Sequence, residues 1–407
     1  MALAPISATR HHGPLRARIH GAGPTGSLAA LALAEAGWQV QLHDPLSREQ
    51  LQGRSRAYAL TQSSRRLLQR LNLWDALQPD LAPFSRLQLQ DQGCGAGVAF
   101  TAADLPLAAE SGSEPRPIGW IARHGPLMAL LLERLQQQPA VQLHLGLPPV
   151  PALSRPATPG MAGPDPDAAD LVVAADGPAS PCRQALGIGH WRLPYRQACL
   201  TVQLELRGDD GHQAWELLRP EGPFAILPLA LNQAQLVWSA PAGHCQRLQA
   251  LSDTALLDRL AALLPEPLEI DGLLDAPASF PVALELARRF HRGRTVLVGE
   301  SAHRCHPVGG QGLNLCWRDV EVLHQLAAQV QQGRLPLARL GRRYGRRRWP
   351  DVLITLLATD LLVRLFSNRQ PLLLPLRRLG LALLARSRSL RRFSLWVMSQ
   401  GTGRPAA

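Results

Sequence analysis

Three glycine-bearing segments carry the residue types and spacings that could do chemistry. Gly21, Gly23 and Gly26 stand in the GxGxxG spacing within ARIHGAGPTGSLAALALAEAGWQVQLHD, Ala17 to Asp44. In such a motif the first glycine makes a tight turn, the second admits a pyrophosphate, and the third lets a helix pack on a strand. Asp44 falls at the end of the second strand-like run, where a carboxylate accepts hydrogen bonds from a ribose. The second segment, Asp170 to Ile188, is an apolar run closing on Asp176 and Gly177. The third, Val296 to Leu323, passes from an apolar run through Gly309, Gly310 and Gly312 into a helix-like pattern from Asn314 onward. Glycines there let the main chain approach a flat, phosphate-bearing ligand, and a helix start aims free N–H groups at negative charge. No GxSxG, zinc-ligand spacing or Walker lysine is present, so hydrolysis and phosphoryl transfer lack their usual apparatus.

Each segment reads as strand, turn and helix, which predicts an α/β nucleotide-binding domain built from separate parts of the chain. Leu67 to Leu77 reads as a short helix, and Leu87 to Ala109, with its alternating LQLQ, as a first excursion into a second, sheet-based domain. IGWIARHGPLMALLLERLQQQP then gives a strand and a helix. Seven prolines between Pro148 and Pro166 predict an irregular surface loop, because proline removes ladder donors. From about His190 to Phe280, short alternating runs such as CLTVQLEL, FAILPL and QLVWSA predict an antiparallel sheet with one wet face. Trp215, Phe224, Leu227 and Trp238 lie on these runs and read as ordinary core or as cavity wall.

In their order along the chain the three segments resemble the FAD-dependent aromatic-ring hydroxylases, the family typified by para-hydroxybenzoate hydroxylase. Within it the resemblance is nearest to the ubiquinone-biosynthesis hydroxylases. It rests on RAYAL at Arg56 to Leu60, RRLLQRLNLWDAL at Arg65 to Leu77, FAILPL at Phe224 to Leu229, HPVGGQGLNL at His306 to Leu315 and DLLVRLFSN at Asp360 to Asn368. It implies an FAD monooxygenase that uses NADH or NADPH and dioxygen, through a flavin hydroperoxide, to hydroxylate an electron-rich ring. A prenylated phenol or quinone precursor of quinone biosynthesis is the substrate implied. By the same resemblance Gly21, Gly23 and Gly26 hold the diphosphate, Asp44 the adenosine ribose, and Arg56 the diphosphate from outside. Asp176 and Gly177 support the diphosphate region, Gly310, Gly312, Leu313 and Asn314 face the flavin ring, and Pro307 lies beside the oxygen-transfer site. His124 takes a position where relatives carry a polar residue near the flavin; a satisfied surface histidine is the other reading. The chain departs from the family at Glu300, where Asp is usual, at Ser301 in place of Ala, and at Cys316 in place of a glycine. Glutamate keeps the charge but is a methylene longer, so it reaches a ribityl hydroxyl only if its strand sits slightly further back. Two other readings stay open: an FAD oxidoreductase or hydroxylase for another isoprenoid or aromatic compound, and a non-catalytic flavin-binding scaffold of a quinone-synthesis complex.

The chain's 407 residues, 46% of them apolar, suffice for two packed cores. The expected organisation is an unordered extension at 1–15 and a Rossmann-like FAD domain in parts at 16–86, 117–189 and 283–340. An excursion at 87–116 and a sheet domain at 190–282 form the substrate domain, and 341–407 is a basic amphipathic helical tail. The six cysteines show no CxxC pair and no metal spacing, and read as reduced thiols of a cytoplasmic protein. Net charge is +12, all fixed positive charge is arginine, and the tail carries fourteen arginines against Asp351 and Asp360. That tail is either a solvated basic face or a surface for anionic lipid headgroups. Its apolar runs are too short to span a bilayer, so membrane association would be peripheral, and no stacking pattern or module suggests nucleic acid. Other quinone-biosynthesis enzymes are candidate partners through the resemblance alone.

Overall fold

The computed structural model describes residues 13–105, 116–147, 169–208 and 210–401. The expected extension at 1–15 falls almost wholly outside them, as do the proline-rich loop at 148–166 and residues 106–115 of the excursion.

The nucleotide-binding sheet has six strands, in spatial order His291–Arg292, Thr295–Leu297, Leu171–Ala174, Arg16–His20, Gln39–Asp44 and Val141–Leu145. All neighbours are parallel except the edge pair His291–Arg292 and Thr295–Leu297. Leu171–Ala174 is buried at every position, as a central parallel strand covered on both faces requires. The helix Pro24–Glu35 is buried from Gly26 to Ala34. Its alanines let it pack closely between the helices Gln311–Gln331 and His124–Gln137.

The second sheet has nine strands: eight in a continuous path, with Glu269–Leu273 pairing off it onto the long strand His190–Arg207. Arg86–Asp91 and Gly97–Thr101 extend its far edge, and Arg86–Asp91 runs parallel to Gln213–Leu218 while the remaining pairs are antiparallel. Alternation gives the sheet two faces. Phe224, Trp238, Val202 and Leu204 pack in a core with Leu256 and Leu260 of the helix Asp253–Ala261. Ala214, Glu216, Leu218, Ala225, Leu227 and Val237 line a cavity.

A small antiparallel sheet of Ala57–Leu60, Gly119–Arg123 and Leu81–Phe84 joins the two larger ones. Gly119–Arg123 pairs here and not in the six-stranded sheet. The helix of the third glycine segment starts at Gln311, three residues before the expected Asn314.

At the C-terminus, Leu337–Phe366, Leu374–Arg386 and Arg388–Gln400 are helices. Part of their arginine content is internal. Arg348 and Arg377 are buried, Arg377 lies over the Phe366 ring and donates to Asn368 Oδ1 at 2.6 Å, and Arg391 pairs with Asp104 at 3.1 Å. No helix of the described residues is long and apolar enough to cross a membrane. The six cysteines are free thiols, five of them buried.

Candidate cofactor and substrate site

The fingerprint loop shows why each glycine is needed. Gly21 has φ +99, and a Cβ there would meet the Ala175 carbonyl oxygen at 2.3 Å; a Cβ on Gly26 would meet the Gly21 carbonyl oxygen at 1.8 Å. Gly26 therefore sits behind the cavity wall, where helix closes on strand. A Cβ on Gly23 would meet nothing within 4 Å, and Gly23 lines the cavity. The helix behind it starts with Pro24, has no side-chain cap and no acid in its first turn, and so presents bare amides to an anion.

Asp44 braces this loop. Its Oδ2 accepts from the Ala22 N–H at 2.6 Å and its Oδ1 from the Leu46 N–H at 2.8 Å, fixing a carboxylate that also lines the cavity. Across from it, Asp176 Oδ2 accepts from the Cys182 N–H at 2.9 Å, while Oδ1 is buried without a partner among the described residues. Gly177 beside it has φ +84 and open space where a Cβ would stand. Arg56 lines the same cavity with its guanidinium 4.7 Å from the Phe280 ring centroid.

Pro307, Gly310, Gly312 and Leu313 form the opposite wall, with Gly309 and Gly310 at φ +70 and +61. A side chain on Gly310 would strike Ala59 Cβ at 2.9 Å. Asn314 stands behind this wall and pins it. Its Oδ1 accepts from the Thr61 N–H at 2.9 Å, the Thr61 hydroxyl at 3.0 Å and the Ser64 hydroxyl at 2.7 Å. Its Nδ2 donates to the Ala59 and Gly310 carbonyls at 2.7 and 2.9 Å.

Asp319 performs the same service for the preceding turn. It accepts from the Gly299 N–H at 2.8 Å, contacts His303 at 2.7 Å and pairs with Arg348. Burial alone would raise its pKa, but His303 and Arg348 outweigh that and hold it below the ordinary range. Arg348 continues to Asp351 at 2.7 Å, which Arg318 also holds at 2.9 Å. Glu300 lines the cavity from this turn. Buried Cys316 fits beneath it, its Sγ 3.3 Å from where a Gly299 Cβ would lie, and burial raises its thiol well above the usual range.

Three candidates do not line the cavity: Gly26 and Asn314 stand behind its wall, and His124 packs away from it. The His124 Nε2 lies 2.7 Å from the Leu51 carbonyl and its Nδ1 2.8 Å from the Tyr58 hydroxyl. A neutral ring, donating from Nε2 and accepting at Nδ1, satisfies both contacts. Burial lowers its pKa, consistent with that state. It is a buried histidine, 1% exposed, with both ring nitrogens in hydrogen-bond contact.

Gly21, Gly23, Asp44, Arg56, Asp176, Gly177, Glu300, Pro307, Gly310, Gly312 and Leu313 thus line one cavity of about 1340 Å³. From the cradle it continues along the inner face of the nine-stranded sheet, past Leu89, Phe100, Leu218 and Leu227, to Leu361, Phe393 and Met398 of the C-terminal helices. Phe224 and Trp238 face the sheet's other side. The chamber contains polar groups that motif reasoning missed, Glu216 and Gln235. Gln235 is 1% exposed, and its Oε1 has no partner among the described residues. Alternation along their strands put them on one face without showing that this face meets a cavity.

The residues present fit a dinucleotide cofactor. The cradle leaves open space at Gly23, Gly177 and Gly312, aims two uncapped helix starts into it, and holds an unpartnered buried carboxylate oxygen on Asp176. A family model described as an FAD binding domain matches residues 167–351. The chain is 31% identical over 395 residues to 3-demethoxyubiquinol 3-hydroxylase of Escherichia coli, covering 94% of this chain and 97% of that protein. It is 34% identical over 385 residues to ubiquinone hydroxylase UbiL of Rhodospirillum rubrum, covering 92% and 87%. Among solved structures, p-nitrophenol 4-monooxygenase PnpA from Pseudomonas putida superposes with a TM-score of 0.75 at 18% identity, covering 97% of this chain and 99% of that one. Klebsiella pneumoniae HpxO, complexed with FAD and uric acid, gives a TM-score of 0.71 at 18% identity, covering 95% and 97%.

Proposed function

Because the chain belongs to the FAD-dependent aromatic-ring hydroxylases, as a monooxygenase related to those of ubiquinone biosynthesis, we propose that it hydroxylates a prenylated phenol or benzoquinone precursor. NADH or NADPH is the reductant in this proposal and dioxygen the oxygen source. The observation that carries the substrate class is one continuous cavity, polar at the cradle and mainly apolar beyond it, where Glu216 and Gln235 stand among leucines, valines and phenylalanines. A ring placed beside Pro307 has an apolar channel to receive a chain. The ubiquinone-pathway hydroxylases among the relatives support the same class.

Bound FAD supplies the redox and oxygen-activating chemistry. The chain's own residues bind and orient. On this reading Gly21, Gly23 and the Pro24 helix start receive the diphosphate, Asp44 the adenosine ribose, and Arg56 the diphosphate from outside. Asp176 and Gly177 complete the diphosphate end, and Glu300 meets a ribityl hydroxyl. Gly310, Gly312 and Leu313 lie against the flavin ring, with Asn314 holding their loop in place. The leucines and phenylalanines of the sheet wall exclude water from the ring being modified.

The C-terminal helices support a peripheral membrane location. Leu361 and Phe393 are 64% and 63% exposed and yet line the cavity, and Leu372, Leu376, Leu379 and Leu383 extend the exposed apolar surface among arginines. An anionic lipid surface is the partner that fits this combination. The test is NAD(P)H oxidation by FAD-loaded protein with a prenylated phenol and with the same phenol lacking its chain. Hydroxylated product from the prenylated compound, with a much higher KM for the short one, is expected. Equal use of both would overturn the substrate class.

A further inference from the structure

Four carboxylates line the cavity, and three of them, Asp44, Asp176 and Glu300, belong to the nucleotide-binding segments. Glu216 alone rises from the sheet wall. It sits mid-strand in Gln213–Leu218, opposite Leu89 on one neighbouring strand and Ala225 on the other, and is 8% exposed. Its Oε2 accepts one long hydrogen bond, 3.3 Å from the Gly309 N–H of the loop that also carries Pro307 and Gly310. Among the described residues its Oε1 makes no hydrogen bond and it forms no ion pair. A carboxyl group retained in an apolar wall without a counterion is costly for folding and is the pattern of a functional acid or base.

We propose that Glu216 is a catalytic residue of this hydroxylase, the acceptor of the hydroxyl proton of a phenolic substrate, which makes the ring electron-rich for oxygen transfer. The inference rests on the phenol reading given above. In the step, the phenolic O–H bond breaks and an O–H bond forms on the Glu216 carboxylate. The electron pair stays on the phenolic oxygen and raises electron density at the ring carbons ortho and para to it. The bond from Gly309 ties this base to the loop beside the oxygen-transfer site, so base and ring share one frame. Burial supports the role by pushing the Glu216 carboxyl up to about 7, against the smaller opposite pull of the Gly309 N–H.

Two titratable neighbours are moved away from that range. The Cys199 thiol, which feels both Glu216 and Arg56, is pushed by burial up to about 12. His306, on the Gly309 loop, is pulled by burial down to about 3.

The test compares FAD-loaded wild type, Glu216→Gln and Glu216→Asp on two probes, 2-prenylphenol and 2-prenyl-4-nitrophenol, the second ionised in solution at mildly alkaline pH. Equilibrium dialysis reads binding, and single-turnover product formation reads the step as a function of pH. Wild type should bind 2-prenylphenol and turn it over at a rate that climbs through neutral pH and levels off. Glu216→Gln should bind it within a few-fold of wild type, lose roughly 10²–10⁴-fold in rate and lose the neutral limb of the profile. Glu216→Asp should keep that limb at a reduced rate. With the nitrophenol above neutral pH, wild type and Glu216→Gln should differ only a few-fold, because the proton is already gone. An equal loss on both probes, or an unchanged neutral limb in Glu216→Gln, would overturn the role of Glu216 while leaving the phenol reading intact. Failure of wild type to bind or convert 2-prenylphenol would overturn the phenol reading and this inference with it.

Discussion

The cofactor cradle and the substrate chamber are two ends of one cavity, and they are built on opposite terms. In the cradle, side chains are tied down by backbone. Asp44 is held by two amides, Asn314 makes five hydrogen bonds, and Asp319 ties a glycine amide, a histidine and an arginine together. In the chamber, polar atoms are few and loosely held: among the described residues Glu216 has one long bond, and Gln235 Oε1 has none. The difference teaches where a protein can afford slack. An invariant cofactor rewards a rigid, fully satisfied frame, whereas a reacting substrate needs groups still free to bond.

The comparison is broken most severely at Gly26. A Gly26→Ala chain places a methyl group 1.8 Å from the Gly21 carbonyl oxygen, so the helix must part from the strand. Loss of FAD retention, read as flavin absorbance per purified protein, is the expected outcome. Asp319→Asn comes next. It leaves Arg348 and His303 facing an uncharged amide in a buried network, and a destabilisation of about 3–5 kcal/mol in urea unfolding is expected. Tolerance of that change would mean that the cradle's polar frame is not what holds it.

Glu216 carries the contrast in the other direction. Its folded pKa is raised to about 7 from an ordinary 4.5, so the stability it contributes is full below pH 4.5 and is lost as pH rises to about 7. Over that window wild type should lose roughly 3 kcal/mol relative to Glu216→Gln. Thermal unfolding of the two proteins across pH checks this, and parallel curves would contradict it. The smallest effect is expected at the surface. Leu383→Glu should lower partition onto anionic phospholipid vesicles about tenfold, by removing one exposed leucine from the contact and adding a negative charge.

The cradle was legible in the sequence because its glycines answer to backbone geometry, which leaves a fixed spacing behind it. Gly21, Gly23 and Gly26 could be read that way, as could the turn through Gly309, Gly310 and Gly312. The expected start at Asn314 was late because the first turn of that helix contains Gly312, a poor helix former by propensity that the site nonetheless uses. His124 kept two readings, a residue near the flavin or a satisfied surface histidine, because its type and position allow either, and the fold shows it buried. Only the fold shows the Leu51 carbonyl and the Tyr58 hydroxyl beside it. In the chamber, alternation along QAWELL reveals two faces without saying which one meets a cavity, so Glu216 could not be distinguished from a solvent-facing acid. The C-terminal arginines read as one basic surface, but Arg348, Arg377 and Arg391 are tied to partners that lie far off in the chain or in other turns of the tail.

The central claim is that the cradle and the chamber together insert oxygen into an aromatic ring. A single turnover of FAD-loaded, NAD(P)H-reduced protein with a prenylated phenol under isotopically heavy dioxygen tests it most directly. The account predicts a product heavier by one labelled oxygen atom on the ring, with the other atom released as water. Flavin reoxidation that yields hydrogen peroxide and returns the phenol unchanged, across the prenylated phenols supplied, would contradict it.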